Sequence, residues 1–267
     1  MAMRIEVLSD HPGAQLQDTD AALARERDRA AAHARAVDDL RRRQRASRRW
    51  WQLGRWLRHS RELQALLRTA PAADPAVMHR RAQQQAGVDA EDRVAAELER
   101  SLNGDWTLFR GYANRRGEVD HLLVGPGGVW AVEVKGRGVR VHVTGDDWRF
   151  EKFDRYGNRV ESGVLADRGG RSWGRQVGEV AGALEEFLRS RGTPVPVRTA
   201  VVVMHERAEL GTCRKPGVDV VGIGTRSLLD QVSRTGGILD HEAQRKIADL
   251  VRRDHRFHAR RRSGGRR

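Results

Sequence analysis

Residues 117–138 read GEVDHLLVGPGGVWAVEVKGRG, and this stretch decides the predicted fold more than any other part of the chain. It contains two apolar runs with short polar interruptions, which are typical of β-strands. Pro126-Gly127-Gly128 joins the runs, and a turn of this composition predicts a β-hairpin. The second run is almost entirely apolar, which is typical of a strand in the interior of a sheet.

Three charged side chains interrupt this apolar hairpin. Side chains two positions apart on a strand share a face, so Glu133 and Lys135 project together while Val132 and Val134 face the core. The turn folds the first strand back, and Asp120 therefore reaches the same surface. We expect the carboxylates of Asp120 and Glu133 to lie about 4–6 Å apart, close enough to share a cation.

Two carboxylates beside an ammonium group are a donor set that suits Mg²⁺, with Mn²⁺ as a substitute. A cation held there lowers the pKa of water and stabilises charge on a phosphoryl oxygen, while a lysine orients the nucleophile. The alternative interpretation is a solvated strand face with a cross-strand ion pair. Glu118 shares the parity of Asp120, so it is either a substitute ligand or an exposed strand end.

The residues around the hairpin predict an alternation of helices and strands. Amphipathic spacing predicts helices, and short apolar runs predict strands. The predicted helices span residues 83–102, 171–190, 225–234 and 240–253, and the further predicted strands span residues 106–112, 139–143, 147–153, 197–204 and 218–223.

This arrangement resembles the PD-(D/E)xK nuclease superfamily and, more narrowly, the nuclease-related domain (NERD) family. The resemblance rests on Gly87 and Glu91 in the segment AGVDAED, on residues 117–138, and on Gln176 in the following helix. It covers roughly residues 80–204. It implies an α/β, restriction-endonuclease-like fold with an αβββαβ core, here with a long N-terminal helical arm and C-terminal helices.

The same resemblance assigns roles to five residues. Asp120 and Glu133 are implied as metal ligands, Lys135 as the residue that orients water, and Glu91 as a further acidic helper. Gln176 is implied as a site residue contributed by the second helix.

The chain departs from the family pattern at two places. Ser172-Trp173 occupies the position of an Asn-Pro pair that usually opens the second helix, and Gly136-Arg137-Gly138 follows the lysine where tyrosine or asparagine is frequent. These departures concern the helix more than the hairpin.

The charge of the chain, +14, is concentrated near its two ends. Residues 41–61 contain nine arginines and no acidic residue, and residues 252–267 contain eight arginines and one aspartate. Such segments favour a polyanionic partner, with nucleic acid first and an acidic membrane surface second. The bias is partly compositional, since only four of the 50 basic residues are lysine.

The N-terminal segment is predicted to be an arm. Residues 14–68 lack proline and predict one long helix, and the proline-containing residues 69–76 predict a linker. We therefore divide the chain into an arm and linker (1–76), a nuclease-like domain (77–253) and a basic tail (254–267). The arm is the expected site of homo-oligomerisation, and its tryptophans have three alternative roles: base stacking, membrane insertion or helix packing. These tryptophans are Trp50, Trp51 and Trp56.

The sequence thus predicts a Mg²⁺-dependent nuclease that hydrolyses phosphodiester bonds in DNA. Two alternatives are a non-catalytic nucleic-acid-binding or scaffold module on the same fold, and a peripheral membrane protein attached through the arm. The single cysteine, Cys213, excludes an intramolecular disulfide and fits a reducing cytoplasm. No transmembrane segment or signal peptide is predicted.

Overall fold

The computed structural model describes residues 2–71, 74–167 and 169–264, without the side chains of Trp50 and residues 262–264. The chain forms two compact units. One unit is Gly13–Gln85, and the other combines the residues before Gly13 with those after Gln85. The predicted boundary at residues 76 and 77 lies in the first turn of a helix, whereas the two units divide further along that helix.

The smaller unit is helical. Helix α1 (His11–Ala46) is followed by a short 3-10 helix (Trp50–Gln52), by α2 (Leu53–Arg68) and by the start of α3 (Pro75–Ser101). His33 Nε2 bonds to the carbonyl oxygen of Leu66 at 2.8 Å, and Gln44 Nε2 donates to Ser60 Oγ at 2.7 Å. These contacts show that α1 and α2 run antiparallel.

The prediction of one helix over residues 14–68 is therefore wrong, because the chain reverses after Ala46. Ser47 explains the break: its hydroxyl donates to the carbonyl oxygens of Arg43 at 3.0 Å and Gln44 at 3.1 Å. A serine hydroxyl that bonds the preceding turn competes with continuation of the helix. Helix α2 ends at Arg68 and α3 begins at Pro75, so the helix is interrupted within the predicted linker. Residues 72 and 73 of the linker lie outside the described residues.

The larger unit contains the predicted αβββαβ core, formed by α3, β2, β3, β4, α4 and β8. The six strands of its main sheet have the order β1-β2-β3-β4-β8-β10. The hairpin β3–β4 is antiparallel, and β4, β8 and β10 run parallel. These elements are β1 (Arg4–Val7), β2 (Thr107–Ala113), β3 (Glu118–Gly125), β4 (Gly128–Lys135), α4 (Trp173–Ser190), β8 (Val197–Val203) and β10 (Val220–Ile223).

Alternate residues of the central strands divide between two hydrophobic cores. Ala131 and Val201 belong to the core covered by α4 and by α6 (His241–Gly264). Val132 and Val202 belong to the core covered by α3 and by α5 (Arg226–Arg234). The sheet is therefore enclosed by helices on both faces, as the apolar runs of β4 and β8 predict.

A second, four-stranded sheet has the order β7-β6-β5-β9. Its strands β5 (Arg140–Thr144) and β6 (Asp147–Phe153) confirm the strands predicted at residues 139–143 and 147–153. Strands β7 (Arg159–Val164) and β9 (Glu209–Arg214) were not predicted, because almost every residue in them is exposed and neither has a buried face. Strand β1 was also missed, and it pairs in parallel with β2.

The C-terminal segment is helical beyond the predicted end of the domain. Helix α6 continues to Gly264, whereas a basic tail was predicted from residue 254. Asp254 and His255 are buried, so the first residues of the predicted basic tail are packed against the domain. Tyr112 Oη donates to Asp254 Oδ2 at 2.5 Å, and this contact fixes the helix to β2. Residues 265–267 of the tail lie outside the described residues.

Among the described residues, no helix combines the length and the apolar character needed to cross a bilayer.

Candidate active site

Strands β3 and β4 separate where the charged residues begin. The last registered pair of the hairpin is His121 and Val132, so Asp120 and Glu133 are the next residues on the two strands. The backbone N–H of Val134 donates to Asp120 Oδ2 at 2.6 Å. A carboxylate oxygen thus replaces the main-chain carbonyl that would accept this N–H in a continued ladder. This hydrogen bond holds the Asp120 side chain against β4.

Glu133 and Lys135 project from the same face of β4, as their spacing predicts. Lys135 Nζ donates to Glu133 Oε1 at 2.5 Å, and the side chains are 22% and 7% exposed, respectively. The indole ring of Trp173, the first residue of α4, lies 5.7 Å from Lys135 Nζ. The ammonium group is therefore held between a carboxylate and an aromatic face.

Glu91, on α3, interacts electrostatically with Glu133 and Lys135. Its main-chain carbonyl accepts a hydrogen bond from His121 Nε2 at 3.1 Å. Burial raises the pKa of Glu91 to about 7. The positive charge of Arg110 opposes this increase, and the nearby carboxylate of Glu133 adds to it. Near neutral pH, Glu91 is therefore protonated in part of the molecules and ionised in the rest.

The remaining charges at the site are strongly coupled. Burial raises the pKa of Asp120 well above its ordinary value, and the negative charge of Glu133 raises it further. Burial alone would lower the pKa of Lys135, but the charges of Glu133 and Asp120 outweigh it and raise that pKa. Three acidic side chains surround one ammonium group, so the site has an excess of acidic groups.

The structure does not bring Gln176 into this hydrogen-bonded group. Gln176 lies in the first turn of α4, and its Nε2 donates to the main-chain carbonyl of Arg171 at 2.9 Å. Ser172 caps α4, because its hydroxyl accepts the N–H of Arg175 at 3.2 Å. Serine thus provides the cap at the position where the family has asparagine.

Glu118 has a separate partner. Ser9 Oγ donates to Glu118 Oε1 at 2.6 Å, which ties the start of β3 to the residues after β1. This contact favours the expectation of a strand-end residue over that of a substitute metal ligand.

Two residues near the site were not singled out from the sequence. His121 positions the backbone of Glu91, and Trp173 covers the ammonium group of Lys135. Strand parity could have found His121, since it pairs with Val132 and therefore faces α3. The position of Trp173 depends on how α4 packs on the sheet, which the local sequence does not encode.

One buried atom bears directly on metal binding. Glu133 Oε2 is buried, and no hydrogen-bond partner is found for it among the described residues. A buried carboxylate oxygen without a partner is costly, and a cation is a natural counterpart for it. The described residues contain no group of three or more His, Cys, Asp or Glu side chains arranged to hold a metal ion. The residues present fit a cation that keeps several waters and takes one or two carboxylates, as Mg²⁺ does.

The fold and the site together define an α/β domain of the restriction-endonuclease-like class, with clustered acids and a lysine on a splayed hairpin. Residues 86–204 match the family model of the nuclease-related domain (NERD), the family that the sequence resembles. Comparisons with curated proteins and with solved structures gave no match.

Proposed function

We propose that this protein is a divalent-cation-dependent nuclease that hydrolyses phosphodiester bonds in DNA. The observation that carries the proposal is the buried Oε2 of Glu133, which lies beside Asp120 and Lys135 and has no hydrogen-bond partner in the part of the chain that the structure describes. The match of residues 86–204 to the family model of the nuclease-related domain supports a nuclease-related role. The arginine-rich segments near both ends support a polyanionic substrate.

Asp120 and Glu133 are the residues that would hold the cation. Asp120 Oδ2 is occupied by the N–H of Val134, so Oδ1 is the oxygen that remains to bind a cation. Glu133 Oε1 is occupied by Lys135, so Oε2 remains. When bound, Mg²⁺ supplies positive charge to the scissile phosphate and makes water a stronger nucleophile.

Lys135 contributes a fixed positive charge to the reaction. Its raised pKa keeps the ammonium group protonated at neutral pH. A preorganised cation beside a phosphoryl group stabilises the charge that develops on its oxygens during hydrolysis. The Trp173 ring and Glu133 restrict the positions of Nζ, so little reorganisation is required.

Glu91 is the residue suited to move a proton. A carboxyl group with a pKa of about 7 is protonated in part of the molecules and ionised in the rest. Such a group exchanges protons with water most effectively near neutral pH. We propose that Glu91 assists proton transfer at the edge of the site.

A non-catalytic nucleic-acid-binding module on the same fold is the second candidate. The ion pair between Lys135 and Glu133 favours it, because a lysine engaged by a carboxylate is less available to a phosphate. The two candidates differ in one respect: only the enzyme needs a cation at Glu133.

A cleavage assay tests the proposal. Purified protein is incubated with supercoiled plasmid, single-stranded DNA or RNA in the presence of Mg²⁺, Mn²⁺ or EDTA. We expect DNA to be nicked or degraded with either metal and to remain intact in EDTA. Intact DNA with every metal would contradict the enzyme and favour the binding module, and cleavage of RNA alone would contradict the assignment of substrate.

A further inference from the structure

The connection between α1 and α2 exposes apolar side chains at an unusual density. We refer to residues 45–61 as the hairpin tip. Trp51, Leu53 and Leu57 are 60%, 61% and 46% exposed, respectively. Helix α2 has no buried residue among those described, although its sequence is strongly amphipathic. Large exposed side chains that lie close together indicate a binding surface.

Helical spacing places Leu53 and Leu57 on one side of α2. Leu53 and Leu57 are four positions apart and therefore lie one turn apart on the same face. Trp56 and Ser60 are less exposed, and the Ser60 hydroxyl accepts a hydrogen bond from Gln44 of α1. Ser60 lies seven positions after Leu53 and therefore on nearly the same face of the helix. This face thus contacts α1 at Ser60, while Leu53 and Leu57 near the start of α2 remain exposed.

The same region carries a dense positive charge. In the part of the chain that the structure describes, the arginines of the hairpin tip form no ion pair with a carboxylate, although three neighbouring arginines, 41–43, pair with Asp38 and Asp39. Trp51, Arg55 and Arg58 line one shallow depression, so the aromatic and cationic groups share a surface. The arginines of the hairpin tip are Arg45, Arg48, Arg49, Arg55, Arg58 and Arg61.

We propose that the hairpin tip binds an anionic lipid surface, with Trp51, Leu53 and Leu57 entering the interface and the arginines contacting lipid phosphates. An interfacial helix carries apolar side chains on one face and arginines on its polar face. In α2, Arg55 lies two positions from both Leu53 and Leu57 and therefore on the opposite face, as such a helix requires. Long arginine side chains can extend from the apolar region to the headgroups. This attachment is independent of the proposed nuclease activity.

Two other occupants fit the surface less well. Duplex DNA offers phosphates to the arginines but no apolar phase for the side chains of Leu53 and Leu57. A second copy of the chain would cover those leucines but would bring two arginine clusters into contact, which is unfavourable. An anionic membrane satisfies both the apolar and the cationic side chains.

Vesicle flotation of the full-length protein tests the proposal. The vesicles contain either phosphatidylcholine alone or an equimolar mixture of phosphatidylcholine and phosphatidylglycerol. Wild type is compared with Leu53→Ser/Leu57→Ser, with Arg55→Gln/Arg58→Gln, and with Arg41→Gln/Arg42→Gln as a matched control of equal charge loss. The control arginines are paired with Asp38 and Asp39. Circular dichroism verifies that each variant retains its helices.

We expect wild type and the control to float with the mixed vesicles only. The Arg55/Arg58 variant should bind about 25-fold more weakly, because each arginine near an anionic surface contributes about a fivefold change. The leucine variant should lose binding by at least about tenfold, since it removes two apolar side chains from the interface.

Absence of flotation with mixed vesicles would overturn the proposal. Equal binding by wild type and the leucine variant would overturn it as well, since adsorption would then be electrostatic alone. Size-exclusion chromatography and a DNA mobility shift, run on the same proteins, identify the other occupants. Without vesicle binding, a loss of oligomers in the leucine variant would assign the surface to a second copy, and weaker DNA binding in the Arg55/Arg58 variant would assign it to nucleic acid.

Discussion

Glu133 is the residue on which the proposed chemistry depends. One of its carboxylate oxygens accepts a hydrogen bond from Lys135, while the other is buried without a partner among the described residues. Apart from Glu133 and Lys135, its strand is apolar and lies between β3 and β8 in the sheet. A carboxylate in such a position reduces stability unless a ligand compensates for it.

Mg²⁺ should therefore stabilise the fold through Glu133. At a hundredfold excess over Kd, one bound cation adds about 2.7 kcal/mol to the free energy of unfolding, which corresponds to roughly 5–10 °C in Tm. Glu133→Gln should remove this response and should be at least as stable as wild type in EDTA. Differential scanning calorimetry with Mg²⁺ and with EDTA measures both effects.

The matched control for this measurement is Glu161→Gln on the exposed strand β7, where the carboxylate lies 3.7 Å from Lys152. It should retain the full response to Mg²⁺. An equal Mg²⁺-induced increase in Tm for wild type and Glu133→Gln would assign the cation to another site.

Lys135 should affect the rate of hydrolysis more than the affinity for metal. Lys135→Ala removes a preorganised positive charge, and we expect a loss of about a hundredfold to a thousandfold in kcat. Metal affinity should stay the same or increase, because a competing cation is removed from Glu133. Lys152→Ala, at an exposed lysine 3.7 Å from Glu161, is the control for loss of one lysine. A similar loss of kcat in both variants would show that general charge, and not the position of Lys135, is responsible.

At the scale of elements, the sequence predicts those strands and helices that have a buried face. The hairpin and α4 follow from apolar runs and amphipathic spacing, whereas the αβββαβ core follows from the resemblance to the nuclease-related domain family. The parity argument also places Glu133 and Lys135 on one face. These features are local in sequence, because the period of the side chains encodes which face is buried.

The features that the sequence does not reveal depend on distant partners. Strands β7 and β9 have no buried face, and β1 owes its place to pairing with β2. The separation of β3 and β4 arises because the carboxylate of Asp120 takes the N–H of Val134.

His121 links β3 to α3 and makes this contact sensitive to acid. Burial lowers the pKa of His121 from 6.5 to about 4. The unfolded chain therefore binds a proton that the folded chain does not, and stability falls as the pH decreases from about 6.5 to about 4. The contribution of this histidine is on the order of 3 kcal/mol across that window.

His121→Gln keeps a donor for the carbonyl of Glu91 but does not titrate. We expect its free energy of unfolding, measured by denaturation in urea, to depend less on pH between 6.5 and 4 than that of wild type. Parallel curves for the two proteins over this range would contradict the prediction.

At the scale of the whole molecule, the chain termini of the larger unit stabilise each other. Arg252 of α6 forms hydrogen bonds with both carboxylate oxygens of Glu6 on β1, at 2.8–3.0 Å. The bond from Arg252 lowers the pKa of Glu6, although partial burial opposes the change. The stabilisation is therefore complete above the ordinary pKa of glutamic acid and is lost as the pH falls through the lowered value.

Glu6→Gln should reduce the free energy of unfolding by about 1 kcal/mol at neutral pH, as expected for one partly buried ion pair. The difference from wild type should shrink as the pH falls below about 4.5, because Glu6 then becomes protonated in wild type as well. A difference that is constant from neutral to acidic pH would show that the ion pair is not its source.

The central claim is that one acidic site, organised by Glu133, cleaves DNA with the help of a divalent cation. Its most direct test compares the cleavage of supercoiled plasmid by wild type and by Glu133→Gln, purified identically and assayed with Mg²⁺ and with Mn²⁺. The account predicts cleavage by wild type, none by Glu133→Gln, and equal DNA binding by both in a mobility-shift assay. Equal cleavage by the two proteins would contradict the account.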